Sequence, residues 1–263
     1  MSARRSVSTT WVIVEVYRRE FAVPAACVRE LMSIPDVTAV PLRRPQDRGV
    51  INLRGSIIPL IDLRKHFGWP SVPEELDAFY QLMNQREQDH RNWLKELDRC
   101  VLEGDEFRLA TDPHKCAFGR WYDSYQPESP WIAALLRKFE APHKAIHALA
   151  SSATGLVRAG KREEAHGLVE HARNGELREM VALFEQMKQL MRETVKELAM
   201  VIATPGNTFA LSIDRAIAVE NLPPGQIKQV DAGAALPGKT PKMAQRSNSN
   251  SLAVVLEPET LVA

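Results

Sequence analysis

The feature that most limits the folds open to this chain is the order of its patterns. Strand-like sequence occupies both ends, and residues 77–197 between them have helical patterns. Neither end, 1–76 or 198–263, is long enough to bury a sizeable core by itself, because small domains bury a small fraction of their surface. Together the two ends have the length of an ordinary domain. We therefore expect one β domain, made of residues 1–76 and 198–263, interrupted by an inserted helical domain at 77–197.

The first end carries the clearest strand patterns. Residues 10–17 are rich in β-branched and aromatic side chains, and residues 49–64 contain two apolar runs joined at Gly55-Ser56. Because glycine supplies a positive φ at low cost, this pair predicts a hairpin with a type II′ turn. Asp62 then favours the start of a short helix.

Apolar residues at three- and four-residue spacing dominate the middle of the chain. They predict a first helix from Glu74 to Gly104, which is followed by a loop-like segment at 111–122. In the next helical pattern, Pro142 indicates either a kink or a new helix start. A further helical stretch spans 163–198.

Strand patterns return after the helical middle. An apolar run at 200–203, a turn at Pro205-Gly206-Asn207 and alternating apolar residues at Phe209, Leu211 and Ile213 predict a β-hairpin. Residues 223–251 are rich in Pro, Gly, Ser and Asn and are predicted to be a loop. Residues 252–256 form a last candidate strand.

Charge and cysteine content exclude several classes of protein. With 34 Lys+Arg and 33 Asp+Glu the formal net charge is +1, so the chain lacks the basic excess typical of nucleic-acid binders. No apolar run reaches the length of a membrane span, and the N-terminus lacks the apolar region of a signal peptide. Three cysteines do not make a disulfide framework. We therefore expect a soluble, cytoplasmic protein without nucleic acid and without direct membrane insertion.

Two strings in the first end carry a family resemblance. GVINLRG at 49–55, followed by IPLIDLR at 58–64, resembles the CheW coupling-protein family of bacterial chemotaxis. The segments 21–31 and 208–223 are similar to that family too. The resemblance implies an α+β multidomain chain in which a CheW-like double β-barrel, with SH3-like subdomains, is interrupted by the helical insertion. It also implies an adaptor that binds a CheA-type histidine kinase on one face and the cytoplasmic tip of a chemoreceptor on another.

Within these strings Arg54 is the predicted partner contact. A guanidinium on the flank of a hairpin suits bidentate recognition of a carboxylate, and Asn52 and Asp62 are assigned to the same surface. The alternative for Arg54 is a solvated charge of the kind that edge strands carry. The tail departs from the family, since residues 243–250 replace its usual Gly-led strand and Glu257 stands where it tends to have Asp.

Four residues of the helical middle have the chemistry of metal ligands. His143 and His147 are four residues apart on a predicted helix, so both imidazoles point the same way and could share one ion. Cys116 lies in an aromatic segment that could plug one end of a bundle. His90 lies on the apolar stripe of the first helix, where a buried imidazole needs a hydrogen-bond partner or a metal.

These residues fall within a second family resemblance, which covers roughly residues 79–195. HRNW at 90–93, CAFGRWY at 116–122 and the H-x-x-x-H spacing at 143–147 resemble the chemoreceptor zinc-binding (CZB) family. The resemblance implies a four-helix bundle that binds Zn²⁺ through three histidines and one cysteine. The implied ligands are His90, Cys116, His143 and His147.

The expected function is a non-enzymatic chemotaxis adaptor with zinc-dependent sensing or modulation. A four-ligand site leaves no position for a hydrolytic water, and the glutamate that follows the first histidine in zinc proteases is absent after His143. Three alternatives remain open: a redox sensor that acts through the zinc-bound Cys116 thiolate, a zinc enzyme, and a purely structural zinc. The long amphipathic helices could also support a homodimer.

Residues close to Cys116 are weaker candidates. His114 could replace a ligand or donate a hydrogen bond to one, although a solvated loop histidine is an equal alternative. Asp112 and Asp123 could orient a ligand imidazole. Cys27 and Cys100 are expected to be small buried apolar residues.

Overall fold

The computed structural model describes residues 9–41, 44–230 and 242–261, and the chain divides into two compact units. The β unit comprises the described residues up to Val72 and from Lys196 onward. The helical unit comprises Pro73–Val195. Both boundaries lie within a few residues of the positions expected from the sequence pattern.

The described part of the β unit consists of strands and one short helix, α1 (Leu63–His66). The strands are β1 (Thr10–Val16), β2 (Arg19–Pro24), β3 (Val28–Ser33), β4 (Asp47–Leu53), β5 (Ser56–Asp62), β6 (Leu198–Thr204), β7 (Asn207–Ile213), β8 (Arg215–Asn221), β9 (Ile227–Gln229), β10 (Lys242–Gln245) and β11 (Leu252–Val255). They form a six-stranded sheet in the order β8-β1-β2-β11-β10-β9 and a five-stranded sheet in the order β3-β6-β7-β5-β4.

Both sheets interleave strands from the two ends of the chain. β1 pairs antiparallel with β8, β2 pairs parallel with β11, and β5 pairs parallel with β7. Each of these pairs joins a strand that precedes the helical unit to a strand that follows it. Neither end therefore completes its sheets without the other, which is why two short β segments make one domain.

Strand β1 is buried on both faces. Val12 and Val14 contact the core shared by the two sheets, which also contains Phe209. The alternate residues Trp11 and Ile13 lie in a second core on the opposite face. Since successive side chains of a strand point to opposite faces, the continuous apolar run of β1 is the pattern of a strand covered on both sides.

The hairpin of β4 and β5 has a turn that differs from the prediction. Leu53 pairs with Ser56, so the two central residues are Arg54 and Gly55, and their φ values are 51° and 90°. Two positive φ values define a type I′ turn, so the predicted type II′ turn is wrong. Arg54 therefore lies at the tip of the hairpin and not on its flank.

The prediction of a loop for residues 223–251 is wrong in part. β9 and β10 are short strands within this range, and β10 pairs with β11; residues 231–241 lie outside the described residues. The buried Arg246 side chain stabilises this region through ion pairs with Glu20 and Glu220. A strand of three or four residues is too short for its alternation of apolar and polar side chains to be recognised in a segment that is mostly polar.

The helical unit consists of four long helices and two short ones in the described residues. They are α2 (Val72–Glu103), α3 (Ala117–Ser124), α4 (Pro130–Arg137), α5 (Glu140–Arg158), α6 (Arg162–Asn174) and α7 (Glu176–Thr194). α3 occupies part of the predicted loop at 111–122, so that prediction is wrong there. Pro142 lies in the first turn of α5, where its missing N–H costs nothing, and so it marks a new helix start.

One apolar core connects the helices of this unit. Leu94 and Leu97 of α2 pack with Ile146 of α5 and with Phe184 and Met187 of α7, and each of these side chains is almost fully buried. In the described part of the chain no helix combines the length and the apolarity that crossing a membrane requires.

Candidate metal centre

Four side chains of the helical unit converge on one point in its core. His90 comes from the middle of α2, Cys116 precedes α3, and His143 and His147 lie one turn apart on α5. One ligand atom from each residue lies within 4.8 Å of the corresponding atom of every other. The Cys116 Sγ and the His143 Nε2 are 3.2 Å apart. The group is compact enough for its four donor atoms to surround a single ion.

Hydrogen bonds fix which nitrogen of two imidazoles carries the proton. The Nδ1 of His90 lies 2.7 Å from the carbonyl oxygen of Arg86, and the Nδ1 of His147 lies 3.1 Å from that of Ala110. A carbonyl oxygen only accepts, so each Nδ1 carries the hydrogen and donates it. In the neutral imidazole the Nε2 lone pair is then free to bind another group.

These two Nε2 atoms are buried and have no hydrogen-bond partner among the residues that the structure describes. His90 and His147 are only 3% and 2% exposed. A buried nitrogen lone pair without a partner is costly, and most such groups in folded proteins are paired. A metal ion bound by these nitrogens would satisfy both, so the residues fit a zinc site by their donor chemistry as well as by their distances.

Burial also keeps the imidazoles neutral. It lowers the pKa of His143 to about 3 and that of His147 to about 4, and the nearby imidazoles add repulsion that acts in the same direction. The pKa of His90 is lowered as well, mainly by burial, although its bond to the Arg86 carbonyl opposes the shift. At neutral pH all three side chains are therefore uncharged, which is the form that binds a metal.

Cys116 is held at the start of α3 by its own sulfur. The Sγ accepts a hydrogen bond of 3.1 Å from the backbone N–H of Gly119, so the side chain caps the helix. Burial raises the pKa of the Cys116 thiol, while the N–H groups of Gly119 and Phe118 oppose the increase. The thiol is thus protonated at neutral pH without a metal, and a bound cation would displace that proton.

Gly119 permits a close approach of the preceding loop. A Cβ at this position would lie 1.8 Å from the carbonyl oxygen of Pro113, which no real contact tolerates. The same carbonyl lies 3.3 Å from the Cys116 Sγ. The glycine of the Cys-x-x-Gly sequence is therefore required for the loop to hold the sulfur next to His143.

The backbone around the cluster contributes interactions that sequence reasoning missed. The Ala110 carbonyl accepts a hydrogen bond of 2.8 Å from the Trp93 Nε1 in addition to the one from His147. The Phe118 ring packs edge-on against the imidazoles of His90 and His143. A sequence pattern does not show which backbone carbonyl a side chain will contact. The hydrogen bond to Ala110 nevertheless explains the position of Trp93 in the HRNW segment.

The weaker candidates lie outside the cluster. The side chain of His114 is 60% exposed, and its Nδ1 lies 3.0 Å from Asp123 instead of near Cys116. The Asp112 carboxylate accepts a hydrogen bond from the backbone N–H of His114 and so orders the loop. Neither aspartate contacts a candidate ligand imidazole through a hydrogen bond found in the described structure.

Asp98, His166 and Glu170 form a second compact group of possible ligands. The His166 Nδ1 lies 2.7 Å from the Asp98 carboxylate, and the guanidinium of Arg173 pairs with both Asp98 and Glu170. The Arg173 guanidinium already lies between the two carboxylates, so this group is an ion-pair cluster between helices and not a metal site.

The three residues predicted to contact a partner differ in exposure. The side chain of Arg54 is 81% exposed and pairs with Glu30 at 2.8 Å. Asn52 is exposed and its Oδ1 accepts a hydrogen bond from the Gly55 N–H in the turn. Asp62, however, is 3% exposed and its carboxylate caps α1, so its assignment to a partner surface is corrected to a structural role.

Comparison with known proteins matches two families to consecutive parts of the chain. Residues 10–89 match the family model of the CheW-like domain, and residues 90–154 match that of the chemoreceptor zinc-binding domain. The second range begins at His90 and contains all four clustered residues. The chain carries a CheW-like domain followed by a chemoreceptor zinc-binding domain. Residues 155–263 lie outside both ranges, and the strand pairings described above join β6–β11 to the sheets of the CheW-like domain.

A curated relative shares part of the CheW-like range. The chain is 33% identical over 69 residues to the chemotaxis protein CheW of Helicobacter pylori (strain ATCC 700392 / 26695), a match that covers 26% of this chain and 42% of that protein. It is also similar to the crystal structure of the scaffolding protein TtCheW from Thermoanaerobacter tengcongensis, with a TM-score of 0.44 and 11% identity. That comparison covers 100% of this chain and 93% of the other.

Substituting Gly119 tests the close approach of the Cys116 loop. We expect Gly119→Ala to destabilise the helical unit by about 2–4 kcal/mol, because the added methyl group forces the loop at Pro113 away from α3. Gly167→Ala is the matched control, since Gly167 lies in α6 with open space around its Cα. There the better helix propensity of alanine should stabilise the unit by about 0.5–1 kcal/mol. Thermal unfolding followed by circular dichroism at 222 nm measures both effects, and equal shifts for the two variants would contradict the interpretation.

Proposed function

We propose that the chain is a non-enzymatic chemotaxis adaptor that acts in the cytoplasm and whose activity is modulated by zinc. Its CheW-like domain would couple chemoreceptor tips to a CheA-type histidine kinase. The match of residues 10–89 to the CheW-like family supports the adaptor role. The observation that carries the zinc-dependent part is the pair of buried, unpartnered Nε2 atoms on His90 and His147, which lie beside Cys116 and His143.

His90, Cys116, His143 and His147 would hold the ion. When bound, zinc supplies a positive charge that keeps the Cys116 sulfur as a thiolate despite its burial. The carbonyls of Arg86 and Ala110 orient two of the imidazoles, as partners behind metal-binding histidines commonly do. Four protein ligands would complete the coordination that structural zinc prefers and would leave no position for a reacting water, which favours a sensory or structural role over catalysis.

The redox alternative depends on the reactivity of Cys116. Of the four residues it is the least buried, which favours access by an oxidant. Without zinc, however, burial raises the pKa of its thiol, and a protonated thiol reacts slowly with oxidants, so oxidation depends on the thiolate that bound zinc would maintain. We therefore place zinc occupancy first and oxidation of Cys116 second, as an event that would release the metal.

Helix α2 offers a physical link between zinc and the adaptor. It begins at Val72, immediately after the first part of the CheW-like sheets, and continues without interruption to Glu103 with His90 near its middle. At the other end α7 stops at Thr194, and β6 begins at Leu198. A change in the position of His90 on zinc binding would be carried along a continuous helix toward the start of the insertion.

Metal content tests the zinc site directly. We expect protein purified without added metal to contain close to one zinc per chain by mass spectrometry of the metal. Cys116→Ala should bind zinc at least about 100-fold more weakly, because it removes a ligand and even partners behind the ligands change affinity 10–100-fold. Cys100→Ala is the control, since Cys100 is a buried cysteine of the same unit that lies outside the cluster. Zinc-free, well-folded protein, or equal loss in both variants, would exclude the proposed site.

A charge reversal at the hairpin tip tests the partner surface. We expect Arg54→Glu to weaken binding to a purified CheA-type kinase or a chemoreceptor tip fragment at least about ten-fold, since it replaces a bidentate donor with a repelling carboxylate. Arg108→Glu is the matched control, because its side chain is 83% exposed and pairs with Glu106 much as Arg54 pairs with Glu30. Isothermal titration calorimetry measures both affinities. Retained binding by Arg54→Glu would place the contact surface elsewhere.

Zinc removal tests the link between the metal and the adaptor. We expect chelation to change the affinity for a kinase or receptor fragment at least about three-fold, within the usual range of coupling between two sites. Cys116→Ala should behave like the chelated protein whether or not zinc is added, although it lies in the other unit. Identical affinities with and without zinc would leave the metal a structural role only. A response to oxidant at constant zinc would favour the redox alternative.

A further inference from the structure

A small cavity lies against the candidate metal cluster. Its volume is about 40 Å³, and it is lined by His143, by Gly119 and by the Pro113 segment that holds the Cys116 sulfur. Space of this size accommodates a water molecule. The cavity therefore brings solvent to the side of the cluster formed by Cys116 and His143.

The cluster itself is closed to solvent on its histidine side. His90, His143 and His147 are 3%, 5% and 2% exposed, and their rings pack against one another and against Phe118. A metal ion must lose its bound water before the cluster can hold it, and a metal site therefore needs an entry path from solvent. The cavity beside His143 provides this path in the described structure.

The mouth of the cavity carries groups that bind zinc. Asp123 and Glu140 line it together with His114 and Lys144. The His114 Nδ1 lies 3.0 Å from the Asp123 carboxylate, and the Lys144 Nζ lies 2.7 Å from that of Glu140. All four side chains are about half exposed, so these ion pairs contribute little and a divalent cation can displace them.

We propose that this cavity is the route by which zinc enters and leaves the buried cluster, with His114, Asp123 and Glu140 as transient ligands at its mouth. The ion passes from these exposed groups to His143, which lines the cavity, and then to Cys116, whose Sγ lies 3.2 Å from the His143 Nε2. At the exposed mouth, water can replace the carboxylate and imidazole ligands, so the ion leaves them readily. The buried cluster is closed to water and retains the ion. This route rests on the proposed zinc site and adds a function for residues outside the four ligands.

The test measures how fast zinc is taken up and released. The double variant Asp123→Asn/Glu140→Gln removes both carboxylates at the mouth. Its control is Glu163→Gln/Glu164→Gln, which removes two exposed acidic residues from the start of α6, one of them paired with Lys161 as Glu140 is with Lys144. Uptake of Zn²⁺ and its transfer to a coloured chelator are followed by stopped flow at physiological salt. Circular dichroism and the number of zinc ions bound are recorded for each variant.

An entry route affects the activation barrier for zinc binding and release but not the free energies of the bound and free states. Removing it should therefore slow the uptake rate and the release rate together. We expect uptake and release to slow at least about five-fold in the double variant while the dissociation constant changes less than two-fold, and we expect the control to match the wild type. Unchanged rates in a variant that still binds one zinc would overturn the route and leave the zinc site intact. Faster release with unchanged uptake would also overturn it, because the carboxylates would then only support the ligands. A wild-type protein that binds no zinc would overturn the proposed site and the route with it.

Discussion

The helical unit depends on the need to satisfy three imidazoles buried in an apolar core. Two of them donate their Nδ1 hydrogens to the backbone carbonyls of Arg86 and Ala110, and this leaves an Nε2 lone pair on each without a partner. A core built only for stability would place apolar side chains here, because they carry no such cost. The loop held by Ala110, the glycine that lets the Cys116 sulfur approach, and the aromatic rings around the cluster all follow from keeping these nitrogens dry and correctly oriented.

The β unit accommodates a long insertion between two of its strands. The strands on either side of the helical unit, β5 and β6, both pair with β7, so they are separated by a single strand. Neighbouring strands are about 4.8 Å apart, and the two points at which the insertion joins this sheet are therefore close together. Closely spaced ends allow an independent domain to be inserted without breaking the sheet that receives it. In the other sheet, the pairs β1–β8 and β2–β11 again join strands that precede the helical unit to strands that follow it.

The sequence predicts the architecture because helices and strands follow patterns with a known period, whereas the set of four clustered residues is implied by the resemblance to the chemoreceptor zinc-binding family. The long helices, the buried strands and the i, i+4 spacing of His143 and His147 are set by local geometry. The failures have physical causes as well. The turn at Arg54 required a positive φ on an arginine, and the strands β9 and β10 are too short to show a period. The capping role of Asp62 follows from the sequence, but its burial depends on tertiary packing. Which carbonyl orients each imidazole depends on tertiary packing alone.

The parallel pairing of β2 with β11 has a consequence for how the protein is made. β2 leaves the ribosome well before its partner β11, which lies more than 200 residues further along the chain. At about 5–20 residues per second the apolar N-terminal strands wait on the order of ten seconds or more for that partner, while the helical unit between them is contiguous and can fold first. During that interval their unpaired edges are open to association with other nascent chains, and edges of this kind promote aggregation. These first strands therefore need protection from association until β11 has been synthesised.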